Sequence, residues 1–289
     1  MQKYYKKYAP IFILPLMICF AVVFIVPFCM GVFFSFTHYI DFNTFEFCGL
    51  YNFKYIFDPT RSATGEITFL TSFWKTALFA AVSIITINFN AFILALLLTK
   101  GLKGSNTYRS IFFMPNLIGG IVLGYIWKLI LNGILQAMGT NMSASPWYSF
   151  FGLVILMNWQ QVGYMMIIYI AALMNVPTDL NESAEIDGAT KFKTTMHVTI
   201  PMVIPSFTIC TFLTLTNSFK LYDQNIALSG NGASTNLLAA DIVNTTQPII
   251  KGLGASLGPQ QAKSLLFFLI VAVISGIQVF ATRSKEVEA

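Results

Sequence analysis

Long apolar runs, each closed by a small group of polar or basic residues, dominate this chain. Residues 11–36 carry no charge, and residues 76–99 are uninterrupted between Lys75 and Lys100. A third run begins after Arg109 and ends near Lys128. From Leu129 to Thr178 no residue is charged, and a polar turn at 141–146 sets off a fourth run at 147–175. The fifth covers 198–219 and the sixth 264–282. A helix crossing the hydrocarbon core needs about 20 mostly apolar residues. The pattern therefore predicts an all-α polytopic membrane protein with about six transmembrane helices.

Composition agrees. Of 289 residues, 56% are hydrophobic and 10% charged, against roughly 25% charged in soluble domains, which leaves too little polar surface to cover a water-facing body. The net charge of +5 is scattered through short loops and forms no basic stripe, which argues against a nucleic-acid partner. Lys3, Lys6, Lys7, Lys100, Lys103, Arg109, Lys191, Lys193, Arg283 and Lys285 all fall on one side of the predicted topology. That side is cytoplasmic by the positive-inside rule, and both termini with it. The opposite loop, 37–71, holds Asp41, Glu46, Asp58 and Glu66 against Lys54 and Arg61. Cys19, Cys29 and Cys210 lie in apolar runs, and Cys48 stands alone in that external loop, so neither a disulfide nor a metal site is expected. The basic start precedes an apolar run too long for a signal peptide and without a small-residue cleavage site, so it reads as a retained first helix. The expected division is an N-terminal helix and first external loop (1–70), a transmembrane core (71–282) and a cytoplasmic tail (283–289).

One cytoplasmic segment, 176–201, does not suit a plain bundle. Thr178 is a candidate N-cap, with Asp179 and Glu182 in the first turn where carboxylates suit the helix dipole. Gly188 can take a left-handed conformation and end that helix. A second short piece at 191–197 follows, and Pro201 and Pro205 open the fifth run. Residue chemistry alone fits either a solvated linker or a docking element.

The spacing Glu182-Ser183-Ala184, three residues, Gly188, nine residues, Val198-Thr199-Ile200-Pro201 resembles the signature loop of binding-protein-dependent ABC importer permeases. The usual pattern there is Glu-Ala-Ala, three residues, Gly, nine residues, Ile, any residue, Leu-Pro. Ser183, Val198 and Ile200 depart by small or near-isosteric changes, and Asp187 and Ala189 match the common form around the glycine. The stretch 109–116 opening the third run and the glycine-rich turn 227–232 are also similar to this family, in its carbohydrate-uptake, maltose-permease-type branch. The resemblance implies that Glu182, Ser183, Ala184, Asp187, Gly188, Ala189, Ile200 and Pro201 form a cytoplasmic coupling helix and its exit, seated on an ATPase subunit. It implies a heteromeric complex in a bacterial cytoplasmic membrane: a second homologous permease, two cytoplasmic ATPases and an extracytoplasmic sugar-binding protein. No cofactor is expected on this chain, ATP and Mg being bound by the ATPases. No GxxxxGK[ST] phosphate-binding pattern occurs here, and no catalytic constellation is visible.

Polar residues inside a bilayer tend to face a cavity or another helix. Ser206, Cys210, Thr214, Asn217 and Leu221 recur at three- and four-residue spacing in the fifth run, and Ser218 joins them. Asn158, Gln160, Gln161 and Tyr164 cluster in the fourth. Each residue alone could serve interhelical hydrogen bonding. Together, Gln160, Gln161, Tyr164, Thr214, Asn217, Ser218 and Leu221 are the expected substrate-binding set. Counted from Glu182, Tyr164 and the 214–221 window fall where maltose-type permeases hold sugar, and amides, hydroxyls and a ring suit a neutral polyol. Lys220, Tyr222 and Asp223 are expected near the outer mouth, and Asn88, Asn90 and Asn116 to serve packing and kinks. With no basic residue expected deep in a span, an anionic substrate is disfavoured. The alternatives are a non-sugar permease of the same family and a stand-alone secondary transporter. The latter normally carries coupling carboxylates or broken repeats.

Overall fold

The computed structural model describes residues 13–41, 44–58, 68–230, 235–245, 249–250 and 254–283. Helix α1 (Ile13–Ser35) leads into an antiparallel hairpin, β1 (Thr37–Asp41) and β2 (Thr44–Phe47), and a short α2 (Tyr51–Ile56). Then come α3 (Phe69–Leu98), α4 (Ser105–Phe113), α5 (Gly120–Ala137) and α6 (Pro146–Met174). A loop pair follows, α7 (Thr178–Ile186) and α8 (Lys191–Met202), then α9 (Ile204–Phe219), α10 (Asp223–Ser229) and α11 (Leu238–Val243). A two-residue pairing, β3 (Ile249–Ile250) with β4 (Gly254–Ala255), precedes α12 (Gly258–Arg283). Among the described residues five helices are long and apolar enough to cross a membrane, or six when the bent pair α8–α9 counts as one span.

Two compact units emerge, residues 1–69 with 245–269, and residues 70–244 with 270–289. In the first, Asn52 is fully buried and its amide donates to the carbonyls of Ser35 and Thr37, both at 2.9 Å. The start of α12 lies against the same knot, since a Cβ on Gly258 would meet the Thr37 carbonyl at 2.3 Å. Phe28 and Phe268 meet edge to face at 5.0 Å.

In the second unit α6 is the central helix. Leu153, Leu156, Met157, Met165, Met166 and Tyr169 are each no more than 1% exposed. Hydrogen bonds tie α6 to its neighbours. The Tyr169 hydroxyl donates to Asn88 Oδ1 at 2.8 Å, and Asn88 Nδ2 reaches Thr214 Oγ1 at 3.4 Å. Asn158 Nδ2 donates to Thr86 Oγ1 at 2.9 Å, while its Oδ1 accepts from Asn90 at 3.2 Å. Phe92, Tyr169 and Phe207, from α3, α6 and α9, stack within 4.8–5.5 Å of one another. Tyr169→Phe is expected to leave Asn88 Oδ1 short of a donor and destabilise the unit by about 0.6 kcal/mol, the average for such bonds in membranes. A melt of the detergent-purified protein checks this, with Asn88→Ala and the double variant closing the cycle.

Prolines explain the irregular turns. A proline inside a helix cannot donate to the carbonyl four residues back and crowds it. A widened π-turn, Ala21–Ile25, precedes Pro27, and another, Thr195–Thr199, precedes Pro201. At Val203, just before Pro205, α8 and α9 part by 68°. The expected fifth span at 198–219 is therefore corrected: only α9 continues it, and residues 198–202 belong to a separate arm. The third span is corrected as well. α4 ends in a 3₁₀ turn at Met114–Leu117, Ile118 and Gly119 are extended, and the long helix starts at Gly120 and runs to Ala137. Lys128, expected to close that span, lies in its middle with its ammonium toward Gly230, about 3.8 Å from where a Cβ there would sit.

Candidate functional site

The break between α4 and α5 borders a cavity of about 280 Å³. Asn116 reaches it from the 3₁₀ turn, and Met157, Gln160 and Gln161 from α6. Asn217, Lys220 and Leu221 from the end of α9, and Gln224 from α10, complete the lining. Among the described residues, five amide side chains and Lys220 line this space and no carboxylate does.

Glycine contacts and side-chain amides hold the walls together. A Cβ on Gly163 would lie 1.8 Å from the Phe112 carbonyl oxygen, so α4 sits directly on the backbone of α6. Gly124 makes a similar approach, where a Cβ would meet Ala227 at 2.6 Å and the Gln224 carbonyl at 2.9 Å, seating α10 against α5. Gln160 bridges these walls: its Nε2 donates to the Ile118 carbonyl at 3.3 Å, and its Oε1 accepts from Gln224 Nε2 at 2.9 Å. That carbonyl is free because the helix is broken there. Gln161 is 7% exposed, and its Oε1 is buried without a hydrogen-bond partner.

Of the expected substrate-binding set, Gln160, Gln161, Asn217 and Leu221 converge on the cavity. Thr214 and Ser218 do not line it. Both are fully buried, Thr214 donating to the Cys210 carbonyl at 2.8 Å and Ser218 with its hydroxyl unpartnered. Tyr164 is also outside the lining, half-buried, with Phe113 at 6.5 Å. Asn116, expected to serve packing and kinks, sits in the 3₁₀ turn of the break and also lines the cavity, and Lys220, expected near the outer mouth, lines it as well. Gln224 was missed, although 217, 220, 221 and 224 continue one helical spacing past the end of α9.

The loop after α6 has the form of two rods joined at Gly188. Helix α7 ends in a Schellman motif: Ala189 N–H donates to the Ala184 carbonyl at 2.9 Å and Gly188 N–H to Glu185 at 3.0 Å. Gly188 has φ +80°. Thr178 is not the N-cap; Pro177 occupies that position and Thr178 is the first helical residue. Instead Thr190 caps α8, its hydroxyl accepting from Lys193 N–H at 3.4 Å. Asp179, Glu182, Ser183, Glu185, Asp187 and Gly188 are exposed, while Ala184, Ala189, Ile200 and Pro201 are half-buried. Ile186 and Phe192 are 86% and 69% exposed, an apolar display among carboxylates that a merely solvated linker does not require.

Broken helices bordering a polar cavity, with an exposed helical arm between long apolar helices, suit a membrane permease. Residues 72–285 match the family described as binding-protein-dependent transport system inner membrane component. The chain is 39% identical to the "probable starch degradation products transport system permease protein AmyD" of Thermoanaerobacterium thermosulfurigenes, covering 96% of this chain and 94% of that one. It is 28% identical to the arabinooligosaccharides transport system permease protein AraP of Bacillus subtilis, over 94% and 88% of the two chains. Its fold is similar, with TM-score 0.76 and 18% identity over 98% of each chain, to the crystal structure of a bacterial ABC transporter involved in the import of the acidic polysaccharide alginate. The chain belongs to the binding-protein-dependent transport system inner membrane component family, and is a multi-pass permease subunit of an ABC importer.

Proposed function

We propose that this permease carries an oligosaccharide through the amide-lined cavity at the break in span three. Amides donate and accept at once, so they pair with vicinal hydroxyls of a polyol. Gln161, with a buried carbonyl oxygen lacking a partner, is the observation that carries this reading, because a buried acceptor left unpaired is costly until a ligand supplies the donor. At about 280 Å³ the cavity is near the ~300 Å³ lower end of ligand pockets, matching one part of a chain in transit. Relatives named for starch degradation products and arabinooligosaccharides support the same substrate class. The related non-sugar solute remains the second reading, and the amides favour the sugar.

Power comes from elsewhere in this proposal. The sequence holds no phosphate-binding loop, so partner ATPases bind ATP and Mg. The exposed α7 arm, with Glu182 as its ionic contact, docks on one of them. A second permease closes the open side of the cavity and an extracytoplasmic binding protein delivers the sugar. The basic loops favour a cytoplasmic position for both termini, and the bacterial membrane follows from the family reading. Residues 1–70, 71–282 and 283–289 then act as anchor with external loop, core and tail.

The test uses the assembled complex in proteoliposomes with labelled maltotriose. Gln161→Ala and Asn217→Ala are each expected to lower uptake by about three- to tenfold, the loss of one or two net hydrogen bonds. Co-purification with the ATPases should be unchanged. Wild-type uptake kinetics in both variants would move the substrate path away from this cavity.

A further inference from the structure

We infer that Lys220 sets the charge selectivity of this cavity, admitting neutral and acidic saccharides and turning away protonated amino-saccharides. The inference rests on the cavity being the sugar path. Its starting point is the composition of the lining: Asn116, Gln160, Gln161, Asn217 and Gln224 are neutral, and Lys220 is the one charged group among the described lining residues. The next carboxylate along the chain, Asp223, is exposed and does not line the cavity. With no carboxylate among the described lining residues, Lys220 gives the cavity a net positive potential. Lys220 is itself exposed, so that potential acts on a ligand most strongly at low ionic strength, where screening is weakest.

Lys220 also follows the last residue of α9, where a cation suits the negative end of a helix dipole. A dipole role alone would change stability and leave the order of preferred ligands intact. The two roles separate by measurement. The expectation against anionic sugars rested on the lack of a basic residue deep in a span; Lys220 lies just past the end of α9 and lines the cavity all the same.

The experiment measures equilibrium binding of three matched probes to the assembled, purified transporter at low salt and mildly acidic pH. They are maltotriose, a fully deacetylated glucosamine trimer and a galacturonic acid trimer. Wild type is expected to bind the uronate and maltotriose better than the amine. In Lys220→Glu the uronate-to-amine affinity ratio should fall by about tenfold or more, the size expected for reversing one nearby charge, with Lys220→Gln between. Maltotriose, being uncharged, should lose no more than about three- to tenfold in either variant, the size of one or two lost hydrogen bonds, so the uronate-to-amine ratio is the readout. An unchanged ratio in both variants, with maltotriose still bound, overturns the selectivity role alone. Failure of wild type to bind maltotriose overturns the cavity reading and this inference with it.

Discussion

Gly163→Ala is expected to lower uptake at least about tenfold and to depress the melting temperature of the assembled transporter, while Gly133→Ala leaves uptake unchanged and does not lower the melting temperature. Glycine inside a helix is less favourable than alanine by about 1 kcal/mol, so propensity alone would improve with either change. Packing reverses that at one site. A Cβ on Gly163 would sit 1.8 Å from the Phe112 oxygen and 2.3 Å from its carbonyl carbon, and both are backbone atoms that cannot rotate aside. Because real Cβ contacts stay beyond 3.0 Å, α4 and α6 must separate by more than 1 Å. Overpacking of that kind costs about 1–3 kcal/mol. The displaced element is the one carrying Asn116 and the Ile118 carbonyl into the cavity, so function suffers beyond stability. Gly133 meets nothing within 4 Å and serves as the matched control. Equal behaviour of the two variants in uptake and melting would mean that the α4–α6 contact does not position the cavity.

What could be read from the chain divides along a physical line. Apolar length is a local property, so α1 and α6 lie close to their expected bounds and α12 ends where expected though it begins six residues earlier, at Gly258, and the glycine break at 188 is local too. Lys128 misled because a charged residue usually marks a span's end; here it sits at mid-helix, half-buried, with its amine toward Gly230. Asn217 and Ser218 are adjacent and so about 100° apart around α9. One lines the cavity and the other is buried in the helix packing. Periodicity shows which residues share a face, but the neighbour that each face meets is a tertiary fact. Tyr164 and Thr214 fall outside the lining for that reason. The gap at Pro115–Gly119 is legible as proline and paired glycines, yet its consequence, an unpaired carbonyl taken up by Gln160, is not.

Gly188→Leu is expected to reduce ATP-driven uptake at least about tenfold with normal membrane insertion, and Gly188→Asn to stay within about threefold of wild type. Space does not limit this position, because nothing lies within 4 Å of a Cβ there. The limit is the backbone: φ is +80°, a left-handed conformation costing an ordinary side chain about 1–2 kcal/mol and asparagine less. Leucine relieves that strain by unwinding the Schellman turn, which frees the Ala184 and Glu185 carbonyls and swings Ile186 and Asp187 away from their present direction. In the proposed coupling role those residues face the ATPase, so a slack joint transmits less of each clamping stroke to α6 and α9. ATP hydrolysis should persist while transport per ATP falls, which distinguishes uncoupling from failed assembly. Vesicle uptake paired with phosphate release measures both. Wild-type coupling in the leucine variant would leave the two-rod loop without its mechanical role.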